Sequence, residues 1–306
     1  MSAHFNTAQS STFADRLFQF ANSRSTLAFF LCLPLIILLG GLVVYPLTSA
    51  IYLAMLNKAE TRFIGLDNFF YLATRPTFWM VFGQTIGFAF FAVLFKAVIG
   101  FAGAQLLNGL PERGQRLWRG MLLVPWVIPP ALGTLAWWWM FDSSNGAINA
   151  VIVALGGEKI GFLSDVFWAR VSVIAVDVWH GAPFFLIMFL AALKSVPAEL
   201  HEAAKIDGAN AWQRLIYITL PTMRNVIAIT MLFSTIVTIS QFDVVQVLTG
   251  GGPRNLTHLL GSYAFSVGIS GGDVPLGSAI SLFMVPLLAV FAFFILRDVR
   301  NRSRSN

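Results

Sequence analysis

The sequence predicts an all-α polytopic membrane protein with six transmembrane helices. Three observations carry that reading. Hydrophobic residues make up 57% of the 306-residue chain and charged residues only 11%, against ~45–50% and ~25% in soluble domains. Apolar runs long enough to cross ~30 Å of hydrocarbon recur along the chain. The Lys and Arg residues gather on alternate connections between those runs.

Taken in order, residues 1–26 are polar, small and weakly basic and read as an N-terminal tail. The first run, Leu27–Ile51, exceeds a signal-peptide core of ~7–15 residues and reads as a retained span. The second, Trp79–Leu107, contains one charge, Lys96, which either snorkels toward the interface or pairs inside the bundle. The third, Trp118–Met140, carries Pro125, Pro129 and Pro130. It should kink, and the backbone groups freed there need neighbouring helices or water as partners. The fourth, fifth and sixth runs are Val171–Leu193, Met223–Leu248 and Pro275–Leu296. Together they give a transmembrane domain over 27–296, with a basic tail at 297–306.

With the N-terminus inside, the cytoplasmic segments hold thirteen Lys and Arg and the outer segments six. The positive-inside rule then places both termini in the cytoplasm. The net charge of +6 is therefore a topology signal. Its basic residues form no polar patch of the kind a nucleic-acid partner needs. The lone Cys32 rules out an intrachain disulfide.

Nothing supports an enzyme. Lys is never preceded by Gly, so a GxxxxGK[ST] phosphate loop is excluded. His201-Glu202 begins like a zinc-protease HExxH, but Lys205 stands where the second His would be. The GxSxG match at Gly268–Gly272, around Ser270, lacks a strand-turn-helix context and reads as chance.

The charged span "HEAAKIDGANAWQRLIYITLP", His201–Pro221, interrupts this apolar chain. Ala203, Ala204, Lys205 and Ala209 favour helix, Gly208 permits a bend, and Pro221 should stop the run before the fifth span. Ala203, Ile206 and Trp212 can share an apolar face, and an amphipathic helix on the bilayer surface would explain that much. The order of residues goes further. Glu202-Ala203-Ala204, three residues, Gly208, nine residues, then Ile218, Thr219, Leu220-Pro221 resembles the EAA signature of importer-type ABC permeases.

The likeness runs from about Leu27 to Leu296. "FIGLDNF" (Phe63–Phe69), "VPWVIPPALGTLAWWWMFDSSNGAIN" (Val124–Asn149) and "VLTGGGPRNLT" (Val247–Thr257) are similar to segments of carbohydrate permeases of the maltose and glycerol-phosphate first-subunit type. The resemblance implies the type I importer permease fold. It further implies that residues 199–221 form a coupling helix seated on a separate ATP-binding subunit, with Glu202, Ala203, Ala204, Asp207, Gly208, Leu220 and Pro221 as coupling residues. ATP and Mg would be bound by that partner, and this chain would hold no cofactor. Implied too are a second permease subunit in a heterodimer, two ATP-binding subunits and an extracytoplasmic solute-binding protein.

Asp177 and His180 lie about 6–9 residues inside the fourth span, roughly 10–13 Å deep at ~1.5 Å per residue. Thr238, Ser240, Gln241 and Asp243 of the fifth run fall at a comparable depth. An Asp in hydrocarbon costs at least ~2.5 kcal/mol and normally faces a cavity or a partner. Pairing of Asp177 or Asp243 with Lys96, His180 or a neighbouring helix is the structural alternative to a ligand role. By resemblance, "DVWHGAPF" and "VTISQF" match sugar-contacting segments of the maltose-type subunit. The implied substrate residues are Asp177, Trp179, His180, Gly181, Phe184, Ser234, Thr238 and Gln241. A sugar or related polyhydroxylated solute is the expected cargo, with glycerol-phosphate or a sugar acid as alternatives. A secondary transporter would need coupling-ion acids and inverted repeats, which are not evident.

Overall fold

The structure is a computed structural model that describes residues 24–303. It is helical, with no strand among the described residues beyond an isolated bridge between Leu56 and Phe63. The chain divides into two units, up to Tyr52 and from Leu53 onward.

The first unit holds α1 (Arg24–Leu39), a π-helical turn (Gly40–Val44) and most of α2 (Tyr45–Ala54). Leu31, Leu42 and Tyr45 are exposed, as are many of its other large side chains. An apolar surface of this kind suits hydrocarbon. The expected tail at 1–26 lies almost entirely outside the described residues.

The second unit begins with α3 (Asp67–Ala73) and the 33-residue α4 (Pro76–Asn108). Next come α5 (Glu112–Leu122), α6 (Val124–Val127), α7 (Pro130–Met140) and α8 (Ala147–Ala154). The 29-residue α9 (Val166–Lys194) is capped by Asp165, whose carboxylate accepts from the Phe167 and Trp168 amides. Then follow α10 (Ala198–Ile206), α11 (Ala211–Arg214), α12 (Leu220–Ile239) and α13 (Asp243–Leu248). The chain closes with α14 (Leu260–Phe265), α15 (Val274–Leu282) and α16 (Met284–Ser303).

At the centre, α4 packs along α9. Ala92, Lys96, Gly100 and Ala104 recur every four residues on the buried stripe of α4, so the helices approach over small side chains. At Gly100 a Cβ would run into the Phe185 side chain and stand 2.9 Å from the Leu186 amide nitrogen. Phe88 and Ala92 share one core cluster with Val173 and Val176, while Ala104 and Leu107 share another with Phe189 and Leu193. Residue numbers rise together along both helices, so α4 and α9 run parallel. Chain between two parallel spans must cross back.

That return is made by the broken third run. Pro125, Pro129 and Pro130 divide it into α5, α6 and α7, each too short to cross alone. Among the described residues five unbroken helices are therefore long and apolar enough to span a membrane by themselves, and the broken run lies between the second and third of them. A further correction concerns Pro221, which does not stop the run. Residues Ala211–Ile239 form one continuous helix, because a π-helical turn at Leu215–Thr219 precedes the proline. The widened turn relieves the clash between the Pro ring and the carbonyl four residues back. Pro46 follows the Gly40–Val44 π turn at the same spacing. The fifth span consequently ends at Ile239, not Leu248, and Asp243 opens the separate α13. At the end of the chain, α16 continues through the expected tail to Ser303.

Gly268 of the chance GxSxG match is a packing residue, since a Cβ on Gly277 would stand 2.6 Å from the Gly268 Cα. The 249–258 loop is more than a tight turn. Gly250, Gly251, Arg254 and Asn255 all adopt positive φ. The Thr257 hydroxyl donates to the Gly252 carbonyl at 2.6 Å, and Arg170 Nε donates to the Leu256 carbonyl at 3.0 Å. The buried His258 ring fills the space a Gly251 Cβ would occupy and shares a 3.0 Å hydrogen bond with Ser262.

Two outcomes follow from this packing. Gly100→Leu should destabilise the bundle by about 3 kcal/mol, as overpacking at a helix crossing does. Thermal unfolding in detergent reads this out. Gly87→Ala, with open space around it, should leave the midpoint in place; equal shifts for the two would contradict the crossing. Burial holds the His258 imidazole below its ordinary pKa of 6.5. The unfolded loop then binds the extra proton first, so the stabilisation is complete above about pH 6.5 and is lost as pH falls below it. Hydrogen exchange over 249–262, normalised to intrinsic rates, should accelerate on acidification, and His258→Gln should flatten the response.

Candidate functional site

Midway through the bundle, three helices contribute to one buried polar layer. Lys96 of α4 forms an ion pair with Asp177 of α9, Nζ to Oδ2 2.6 Å, with both side chains almost fully buried. The same ammonium donates to Thr238 Oγ1 of α12 at 3.0 Å. Gln241, just past the end of α12, donates from Nε2 to Asp177 Oδ1 at 3.1 Å. The structure therefore resolves the two readings of Lys96 in favour of pairing. Burying two charges is costly, and the extra hydrogen bonds from Thr238 and Gln241 offset part of the desolvation.

Gly181 has a steric role here. A Cβ at this position would stand 2.6 Å from Lys96 Cε and 3.0 Å from Nζ. The missing side chain is the slot through which Lys96 reaches Asp177, one turn earlier on α9.

His180 answers the question of the kinked run. Its Nδ1 lies 2.8 Å from the Pro125 carbonyl oxygen. In a regular helix that carbonyl would accept from residue 129, but Pro129 has no N–H to give. The imidazole substitutes for it, and because a carbonyl only accepts, the proton sits on Nδ1. Nε2 is left for another partner.

An aromatic wall flanks the layer. Trp179 packs on Gly133, where a Cβ would be 3.1 Å from its ring, and meets Trp137 edge-on at 5.7 Å. Phe184 stacks on Trp126 at 6.0 Å and touches Phe233 at 5.1 Å. Along α12, Thr230, Ser234 and Thr238 are all buried at four-residue spacing, which makes a stripe of hydroxyls on one face. The structure thus brings Asp177, Gly181, Thr238 and Gln241 together around Lys96. It places His180, Trp179 and Phe184 against the broken run, and Ser234 one turn below Thr238.

A separate apolar cavity of about 720 Å³ lies beside α9, lined by Phe95, Gly100, Pro125, Trp179 and Pro183 among others. Of the sequence-predicted residues it takes in Trp179 alone. Among the described residues no His, Cys, Asp and Glu group could hold a metal ion.

Between Asp177 and Thr238 in the chain, residues 198–221 form a helix–turn–helix. Gly208, at φ 81°, follows the Asp207 cap of α10. The Gly208 amide donates to the Lys205 carbonyl and the Ala209 amide to the Ala204 carbonyl, the bond pattern of a Schellman cap. The left-handed φ is why Gly is needed there. Asn210 and Gln213 then cap α11 reciprocally. Glu202 and Ala203 are exposed, as are Ile206 at 87%, Trp212 at 67% and Tyr217 at 76%. Leu220 and Pro221 open α12 directly after the π turn.

Residues 97–302 match the family described as binding-protein-dependent transport system inner membrane component. The chain is 30% identical over 282 residues to the trehalose/maltose transport system permease protein MalF of Thermococcus litoralis, covering 90% of this chain and 94% of the relative. It is 32% identical over 281 residues to the sulfoquinovosyl glycerol transport system permease protein SmoG of Agrobacterium fabrum, covering 90% and 91%. Among solved structures, a bacterial ABC transporter involved in the import of the acidic polysaccharide alginate shares the fold. Its TM-score is 0.81 at 23% identity, over 94% of this chain and 99% of that one. With family, fold and apolar helices in agreement, the chain is a multi-pass inner-membrane permease that belongs to the binding-protein-dependent transport system inner membrane components.

Proposed function

We propose that this permease forms, with a second permease subunit, the membrane channel of an ABC importer for a sugar or related polyhydroxylated solute. The observation that carries this is the near full-length likeness to permeases named for trehalose/maltose and sulfoquinovosyl glycerol transport. An extracytoplasmic binding protein delivers the solute. Two ATP-binding subunits hold ATP and Mg and perform the hydrolysis. Both termini and the 198–221 segment face the cytoplasm, in keeping with the excess of Lys and Arg on that side.

In this reading α10 and the Gly208 turn seat on an ATP-binding subunit. Exposed Ile206 and Trp212 supply apolar anchors, and Glu202, Ala203, Ala204, Asp207, Leu220 and Pro221 frame them. The solute passes the polar layer, contacting Gln241, His180 and Ser234, with Trp179 and Phe184 offering ring faces to sugar C–H groups. Asp177, Thr238 and Gly181 hold Lys96 in place. Nucleotide-driven closure of the motor tilts α10 and opens the layer outward, and release inward follows hydrolysis.

The test is reconstitution of the whole complex with its binding protein in proteoliposomes. Gly208→Val forces a β-branched residue into the left-handed region at a cost of about 1–3 kcal/mol. It should uncouple the system, lowering solute-stimulated ATPase activity at least about tenfold, as should Glu202→Lys. Membrane insertion should be unchanged. Gln241→Ala should depress uptake without altering the binding protein's own affinity. Coupled transport that survives both docking-segment changes would overturn the docking assignment.

A further inference from the structure

The Lys96–Asp177 pair also decides which charge of solute the layer admits, a step that rests on reading that layer as the solute path. Consider what each polar group has left to offer. One Asp177 oxygen takes the Lys96 ammonium and the other takes the Gln241 amide. Lys96 spends a second N–H on Thr238, and the α9 backbone closes over it at Gly181. The charges of the layer are thus turned on each other. In its neutral form His180, whose Nδ1–H is donated to the Pro125 carbonyl, keeps a bare Nε2. Gln241 keeps its carbonyl oxygen and one N–H. What remains is uncharged and rich in acceptors, which suits hydroxyl donors. A carboxylate, sulfonate or phosphate would meet lone pairs here, with the nearby cation already committed.

We infer that the Lys96–Asp177 pair is a charge-compensating element that makes this layer selective for uncharged polyhydroxylated solutes over anionic ones. Asp177 is then a specificity-determining positioning residue: it acts by neutralising Lys96, not by touching solute. Removing its charge exposes a buried ammonium, and the preference should swing toward anions.

Saturation-transfer NMR on the assembled complex, without binding protein, isolates this step from the binding protein's own selection. The probes are methyl β-glucoside and methyl β-glucuronide, which differ only by CH2OH against carboxylate. Wild type should favour the glucoside. Asp177→Asn should raise the glucuronide-to-glucoside signal ratio about tenfold, a conservative value for an uncompensated charge in a partly dry site. The double variant Lys96→Met with Asp177→Asn, which carries neither charge, should return the ratio to the wild-type side. Gln241→Ala separates the two levels of the argument. If it leaves the glucoside signal untouched, or if wild type binds neither probe, the layer is not the solute path and the site reading fails. If Gln241→Ala weakens binding but wild type takes both probes equally, or Asp177→Asn leaves the ratio unmoved, the path stands and charge compensation is wrong. Should Asp177→Asn fail to assemble, the wild-type preference and the double variant still decide.

Discussion

The parallel crossing of α4 and α9 fixes the geometry on which the rest of the bundle depends. It is made by two glycines that work reciprocally. Gly100 of α4 yields to Phe185 and Leu186 of α9, and Gly181 of α9 yields to Lys96 of α4. Each lies one turn from the other's contact, so closing one gap sets the other. In lipid there is little hydrophobic drive to bring helices together, and close backbone approach with buried polar contacts must serve instead. Here the approach over small residues brings Lys96 to within 2.6 Å of Asp177. An unpaired charge in that position would cost about 3–5 kcal/mol. Backbone packing and ion pair therefore stand or fall together.

Much of this architecture was legible in the sequence, for particular reasons. Spans such as Trp79–Leu107 and Val171–Leu193 show because hydrocarbon demands long apolar runs, and the structure extends them by only a few residues to Pro76–Asn108 and Val166–Lys194. The third run was legible as kinked, since three prolines cannot pass through a straight helix. The end of the fifth was not. Gln241 and Phe242 break the helix before α13, yet composition continues apolar to Leu248. Pro221 misled because a π turn depends on hydrogen-bond register, which leaves no compositional trace.

The site shows the same division. Lys96, Asp177, His180 and Gln241 stood out individually, because polar groups in a span are rare enough to need a reason. The Lys96–Asp177 pairing stood open among several alternatives, and the Thr238 bond to Lys96 did not show at all. Lys96 and Thr238 are 142 residues apart, and no spacing rule links them. Gly181 read as part of a motif, and the room it leaves for another helix's lysine shows only in the structure. His180 read as a ligand contact, and the clue to its second task was present in the sequence. Pro129 denies the Pro125 carbonyl its regular partner, and an imidazole on the adjacent helix is among the few side chains able to supply a donor at that depth.

The polar layer and the 198–221 segment are joined by a single helix. From Ala211 to Ile239 the chain is one helix of 29 residues, about 43 Å long at ~1.5 Å per residue. One end abuts the Schellman cap at Gly208, and the other presents Thr238 to Lys96 and leads directly to Gln241. Its only departure from α geometry is the π turn at Leu215–Thr219, placed at the docking end. In the proposed reading this helix links the Gly208 turn to the hydroxyl that accepts from Lys96, with its π turn at the Gly208 end. The ion pair at that end is buried and cross-linked by hydrogen bonds to Thr238 of α12 and from Gln241 just past it, which ties the far end of the helix to the central crossing.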